Sequence, residues 1–233
     1  MGLFSGGKDS TFALYEAQRL GHEISGLLTV IPQCWDSWMF HYPCIELTKL
    51  QAEAMGLPSI HVSTEGVKEL ELEDLKRALE ELRCRLSFEA VVSGAIASEY
   101  QRSRIDRVCR ELDLKSLNPL WHRDPEILLR EMLENGFEII FTAVAAQGLT
   151  ADWLGRRLDS EAIEDLKRLN RIYGVHISFE GGEGETLVLD CPLFRRRLHI
   201  GGIDKVWRID SGYLTVKEAT LHPKGHYNGS NCL

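Results

Sequence analysis

Apolar positions along the chain alternate between short runs and helical stripes. Residues 1–4 form a brief apolar run, and after a glycine-rich turn Phe12, Leu14, Tyr15 and Ala17 recur at helical spacing until Gly21 breaks the pattern. The alternation then repeats. Residues 22–31 predict a strand, 45–55 a helix closed by Gly56-Leu57-Pro58, and 59–63 another strand. In 70–86, Leu72, Leu75, Leu79, Leu82 and Leu86 make one stripe opposite a charged face that reads as solvated. A strand at 88–96, an amphipathic helix at 103–112, a strand at 115–121 and a helix at 125–133 follow. Such alternation predicts an α/β fold of βα units on a parallel sheet.

After the apolar stretch 136–149 the texture changes. One helix is expected at 160–173, with Ser160 as its N-cap, followed by short strands at 175–179, 186–192, 194–200, 205–209 and 213–221, the last two around the turn Asp210-Ser211-Gly212. This places a boundary near residue 135, dividing the chain into 1–134 and a smaller α+β part, 135–233.

Composition narrows the setting. An apolar content of 44% over 233 residues can fill a core without staples. A net charge of −8 opposes a broad electrostatic hold on nucleic acid, and the local run Arg195-Arg196-Arg197 does not overturn it. The six cysteines are scattered, with no CxxC pair, which fits free thiols in a reducing cytoplasm. No apolar stretch is long enough for a membrane span, and the charged, glycine-rich beginning is not expected to be a signal peptide.

The first turn carries the candidate chemistry. Residues 2–8 satisfy the count of a Walker-type phosphate loop until Asp9 stands where the Mg²⁺-binding hydroxyl belongs. Gly6 and Gly7 let the backbone turn its N–H groups toward an anion at the helix start, Ser5 and Ser10 add hydroxyls and Lys8 adds charge. Asp9 would repel phosphate unless Mg²⁺ lay between them or its carboxylate faced the backbone. An ordinary Gly-Gly turn is the plain alternative. The string Ser-Gly-Gly-Lys-Asp-Ser resembles the SGGxDS signature of PP-loop ATP pyrophosphatases, which implies cleavage of ATP between its α and β phosphates.

Longer stretches extend that resemblance. "SWMFHYPCIELTKLQAEAMG", "GAIASEYQRSRIDRVCREL", "NPLWHRD", "EGGEGETLVLDCPLF" and "KVWRIDSGYLTVKEATL" are together similar to the diphthine–ammonia ligase family over nearly the whole length. The resemblance implies a HUP-type nucleotide-binding domain at 1–134 with a smaller substrate-binding domain at 135–233. It also implies ATP and Mg²⁺, ammonium as nitrogen donor, and translation elongation factor 2 bearing diphthine as partner. Ser5, Gly6, Gly7, Lys8, Asp9, Ser10, Thr29, Gly94, Gln101 and Arg104 are then expected around the nucleotide, with Asp9 toward the metal. Lys8, Asp9, Tyr100, Glu183 and Glu185 are expected to act in catalysis. The chain departs from the family's pattern at Gly184, where an aromatic commonly stands, at Cys44, where Asn stands, and at His122, where Gly stands.

Residue chemistry leaves several alternatives open. The carboxylates of "EGGEGET", Glu180 among them, can hold a cationic substrate, bind ammonium or take its proton, or they can form a solvated turn. Trp35, Trp38 or Tyr100 could meet diphthine's trimethylammonium group through cation–π attraction, while the aromatics around 33–43, with His41, could equally be local packing. Gln101 and Arg104 could instead be exposed polar residues at a helix start. A sister enzyme amidating a small metabolite, a tRNA-modifying thiolase and a nucleotide-sensing module are the competing functions. The thiolase would want a cysteine pair and a basic face that the chain does not display, and a homo-oligomer is compatible with all of them.

Overall fold

The computed structural model describes residues 1–32, 44–64 and 70–225. Trp35, Trp38 and His41, singled out above, lie outside the described residues.

Five parallel strands form the first sheet: β1 (Gly2–Leu3), β2 (Leu27–Pro32), β3 (Ser59–Thr64), β4 (Ala90–Val92) and β5 (Lys115–Leu117), in the order β3-β2-β1-β4-β5. They alternate with α1 (Lys8–Arg19), α2 (Thr48–Met55), α3 (Leu70–Arg83), α4 (Glu99–Glu111) and α5 (Pro125–Glu134). The chain winds outward from β1 through β2 to β3 and then returns to β4 on the other side. That reversal opens a crevice beyond the carboxyl ends of β1 and β4, the usual ligand position in a doubly wound sheet.

A second, antiparallel sheet contains β6 (Glu138–Val144), β7 (Gly184–Asp190), β8 (Arg196–Arg208) and β9 (Ser211–Pro223), in the order β7-β6-β9-β8, with α6 (Ser160–Tyr173) between β6 and β7. The expected parallel α/β sheet with a smaller α+β part is therefore present.

Period-two alternation sorts the parallel strands between two cores. Leu27 and Val92 join the larger one, which runs through Phe12 and Leu14 of α1 and Met132 of α5 into Phe141, Leu166 and Leu187 of the second sheet's layer. Leu28 and Val91 face the other, where α3 buries Leu75, Leu79 and Leu82, as its leucine stripe predicted. Phe12 meets Phe137 edge to face at 5.3 Å, so α1 is packed from the second sheet's side as well as from its own.

Some local expectations fail for identifiable reasons. Residues 175–179 form a loop rather than a strand, because His176 Nδ1 accepts amides from within the turn and Phe179 takes a left-handed φ of 63°. The two strands expected at 194–200 and 205–209 are one strand, β8, which stays paired with β9 through irregularities at Gly202. Arg208 pairs with Ser211, so the turn is Ile209-Asp210 rather than Asp210-Ser211-Gly212. Asp159, not Ser160, caps α6, its carboxylate accepting from Ala162 N at 2.7 Å.

Cys44 (φ 87°) and His122 (φ 56°) both occupy the left-handed region. These are the positions where the resembled pattern has Asn and Gly, the residues that enter this region most easily. Cys44→Asn is therefore expected to raise stability by about 1 kcal/mol, seen as a rise of roughly 2–4 °C in a thermal melt.

Candidate active site

The turn after β1 is shaped from both sides. Gly6 has φ +80°, and a Cβ there would collide with Gln51 Oε1, so both the backbone and its neighbour demand glycine. Ser5 N donates to Ser10 Oγ at 3.3 Å, the two hydroxyls lie 3.1 Å apart, and Gly7 N donates to Ser5 Oγ at 3.4 Å. Gly7 precedes α1 and offers it no side-chain cap, leaving the helix dipole and the amides beyond Lys8 N to an anion.

Lys8 is buried, yet its charge is answered. Nζ donates to Asp9 Oδ2 and to Ser178 O, each at 2.7 Å. An ammonium has three donors, so one remains for the cleft. Asp9 Oδ1 is buried without a hydrogen-bond partner among the described residues. An unsatisfied carboxylate oxygen at a phosphate loop fits Mg²⁺, which takes one or two carboxylates and completes its shell with phosphate oxygens and water.

The cleft beside this loop has a volume of about 660 Å³. Ser5, Gly7, Lys8, Asp9 and Ser10 line it, joined by Gly94, Tyr100, Gln101 and Arg104 from the β4–α4 side and by Glu185 from β7. Ten of the thirteen residues expected around the nucleotide or in catalysis thus meet at one place. Three do not line it. Gly6 shapes the turn from behind. Thr29 is fully buried and donates to Phe4 O at 2.8 Å, tying β2 to the end of β1. Glu183 turns away from the cleft: its carboxylate accepts from His176 N at 2.9 Å and Gly181 N at 2.8 Å, holding the acidic loop closed. Glu183→Ala should cost about 1–3 kcal/mol by leaving two amides without their charged acceptor, measurable by denaturant unfolding.

Gly94 has a specific reason to be glycine. A Cβ there would lie 2.7 Å from Ser10 N and 2.8 Å from the Asp9 carbonyl carbon, so its missing side chain makes room for the start of α1. Tyr100 already carries a cation, the Arg104 guanidinium lying 4.4 Å over its ring. Gly184 leaves no space for a side chain, because a Cβ would stand 2.7 Å from Ala143 O and 2.9 Å from the Phe179 ring.

Across the cleft, Glu185 is half-buried on β7. Desolvation foremost pushes its carboxyl from the usual 4.5 up to about 7, with Lys8 opposing and Asp9 reinforcing the rise. Glu180 lines the cleft and accepts from Ala97 N at 3.1 Å, joining the acidic loop to the β4–α4 turn.

Sequence reasoning missed Gln51, Thr186 and Ser178. Gln51 Nε2 reaches Gly6 O at 2.9 Å and Val188 O at 2.8 Å, while Thr186 Oγ1 accepts from Lys8 N at 3.1 Å. A signal existed for Gln51: it is a polar residue on the stripe of α2 shared with Thr48, Ala52 and Met55. Ser178 acts through its carbonyl, which any residue could supply.

Comparison with known proteins supplies names for relatives. A profile described as the diphthamide synthase N-terminal domain matches residues 1–116, and one described as its C-terminal domain matches 124–221. The chain is 38% identical to a diphthine–ammonia ligase of Danio rerio, covering 93% of this chain and 91% of that protein. It is 36% identical to the Homo sapiens enzyme of that name, covering 88% and 83%. Identity to the Schizosaccharomyces pombe enzyme is 41% over 97% of this chain, which spans only 37% of that longer protein. Among solved structures, a predicted subunit of a tRNA methyltransferase from Methanocaldococcus jannaschii covers 82% of this chain and 95% of its own, with a TM-score of 0.40 and 15% identity. That likeness is too slight to argue from, and the fold rests on this chain's own strand order. Among the described residues, no helix is long and apolar enough to cross a membrane.

Proposed function

Because the chain belongs to the diphthamide synthase family, a family of carbon–nitrogen ligases, we propose that its cleft adenylates the carboxylate of diphthine on elongation factor 2 and amidates it with ammonia. The observation that carries this reading is the meeting of two chemistries in one cleft. An anion-binding loop with a buried lysine lies against a carboxyl that changes protonation near neutrality.

In the first half-reaction a carboxylate oxygen of the substrate attacks the α-phosphorus of ATP, and the bond from that phosphorus to the α,β-bridging oxygen breaks. Pyrophosphate leaves. Charge accumulates on it, and the α1 N-terminus, the Ser5 and Ser10 hydroxyls and the third donor of Lys8 are arranged to stabilise that charge. Asp9 Oδ1 would hold Mg²⁺, which when bound neutralises phosphate charge.

In the second half-reaction the nitrogen of ammonia attacks the acyl carbon, the acyl carbon–oxygen bond to AMP breaks, and the amide forms. Glu185 takes the proton that nitrogen must lose. Glu183 is bound to the loop's own amides, which leaves this task to Glu185. We retain the division near residue 135 as one of labour, with the nucleotide held before it and the proton acceptor supplied after it.

The test is incubation with ATP, ammonium and diphthine-bearing elongation factor 2, followed by mass analysis of the factor and of the nucleotide. Conversion of the carboxylate to its amide with AMP and pyrophosphate supports the reading. ADP and orthophosphate as primary products would sink the adenylation step. An unchanged factor together with amidation of a small metabolite would move the protein to a sister activity.

A further inference from the structure

Strand β7 borders both halves of the cleft, and one buried side chain ties it to the glycine loop. Gln51 is fully buried, and its amide nitrogen donates to Gly6 O at 2.9 Å and to Val188 O at 2.8 Å. Gly6 O also accepts from Val188 N at 3.1 Å. Both neighbours of that nitrogen are carbonyl oxygens, so chemistry alone orients the amide group. Thr186 adds a second tie, accepting from Lys8 N at 3.1 Å, and Glu185 directly precedes it in β7. The loop that faces ATP and the carboxyl that faces the amidation step therefore hang from adjacent residues of one strand.

Packing does not explain Gln51. A site this deep ordinarily holds an apolar side chain, and here the amide oxygen Oε1 is buried with no partner among the described residues, a destabilising arrangement. What the residue supplies is its pair of N–H bonds, one to the loop and one to the strand.

We propose that Gln51 is a positioning residue which, with Thr186, keeps the glycine loop and Glu185 in one register, so that the acyl-adenylate meets ammonia rather than water. The proposal rests on the reading given under Proposed function. When the register slips, water attacks the acyl carbon, the carbon–oxygen bond to AMP breaks, and the original carboxylate returns. ATP is then spent without amide.

The experiment measures AMP released per amide formed, using diphthine-bearing elongation factor 2, for the wild type, Gln51→Leu, Thr186→Val and Thr186→Ser. The wild-type ratio is expected to be near unity. Gln51→Leu and Thr186→Val should raise it at least about tenfold, as expected when reacting groups are displaced by a fraction of an ångström to an ångström. Thr186→Ser, which keeps the accepting hydroxyl, should restore coupling. A merely structural role would lower AMP and amide together and leave the ratio unchanged, and that result in both variants overturns the proposal. Should Gln51→Leu not fold, Thr186→Val decides alone. A wild type that forms no amide on the factor refutes the functional reading, and this proposal with it.

Discussion

Asp9→Asn is expected to abolish formation of AMP and pyrophosphate, by about 10³-fold or more, and to lower the melting temperature by several degrees. The loss of rate follows from the two oxygens having different duties. Oδ2 receives the Lys8 ammonium at 2.7 Å, while Oδ1 is buried with no hydrogen-bond partner among the described residues and would be the oxygen to hold a cation. Removing a preorganised charge that acts on the departing pyrophosphate typically costs a few kcal/mol of transition-state stabilisation.

The loss of stability has a separate cause. The Lys8 side chain is 4% exposed, so its charge cannot turn to water when the carboxylate is neutralised. The Ser178 carbonyl, a neutral amide oxygen and the charge of the nearby Glu185 carboxyl would remain for it. A cost of about 2 kcal/mol is expected, or roughly 4–8 °C for a chain of this size. A carboxylate on an exposed loop would leave the melt unchanged; this one, 27% exposed, answers the charge of a buried lysine. Calorimetry alongside product analysis checks both halves. An unaltered melting temperature would mean that Lys8 finds another partner.

Glu185→Gln is expected to do the opposite to stability while removing amide formation by about 10²- to 10⁴-fold. Burial raises the wild-type carboxyl from 4.5 to about 7 in the folded protein. A carboxyl whose folded pKa lies above its unfolded value favours folding when protonated. That contribution is complete below pH 4.5 and is lost as pH rises to about 7, after which stability is flat with respect to this group. The penalty at pH 8 is at most about 3 kcal/mol, and solvent at the cleft edge reduces it. Glutamine carries no such penalty, so the variant should melt above the wild type at pH 8 and show little advantage at pH 4. The wild-type amidation rate, at constant free ammonia, should rise about tenfold per pH unit up to about 7 and then level. A Glu185→Gln enzyme that keeps amidating with the same pH profile would assign the proton to another group.

How much of this was legible beforehand depends on the kind of interaction. The glycine loop was readable because its signal is local: consecutive residues of the required types stand between an apolar run and a helical stripe. The leucine stripe of α3 was readable for the same reason, since periodicity records which face is buried. The 175–179 segment was misread because its apolar alternation is overridden by His176 Nδ1 gathering turn amides. Glu183 and Glu185 could not be told apart by composition, standing two apart in the same glycine-rich string. Hydrogen bonding to His176 N and Gly181 N occupies one, and strand geometry sends the other to the cleft.

By itself the sequence determined what depends on neighbours along the chain: alternating strands and helices, hence a parallel sheet, and a phosphate-type turn ending in Asp-Ser rather than in a Walker hydroxyl. Tertiary structure alone decided what depends on groups far apart in sequence. It set Gln51 against Gly6 and Val188, placed the Ser178 carbonyl on the Lys8 ammonium, and withdrew Glu185 from water beside that charge. The physical reason is that propensity and periodicity are written in nearest neighbours, whereas desolvation and hydrogen-bond satisfaction depend on everything that surrounds an atom once the chain is packed.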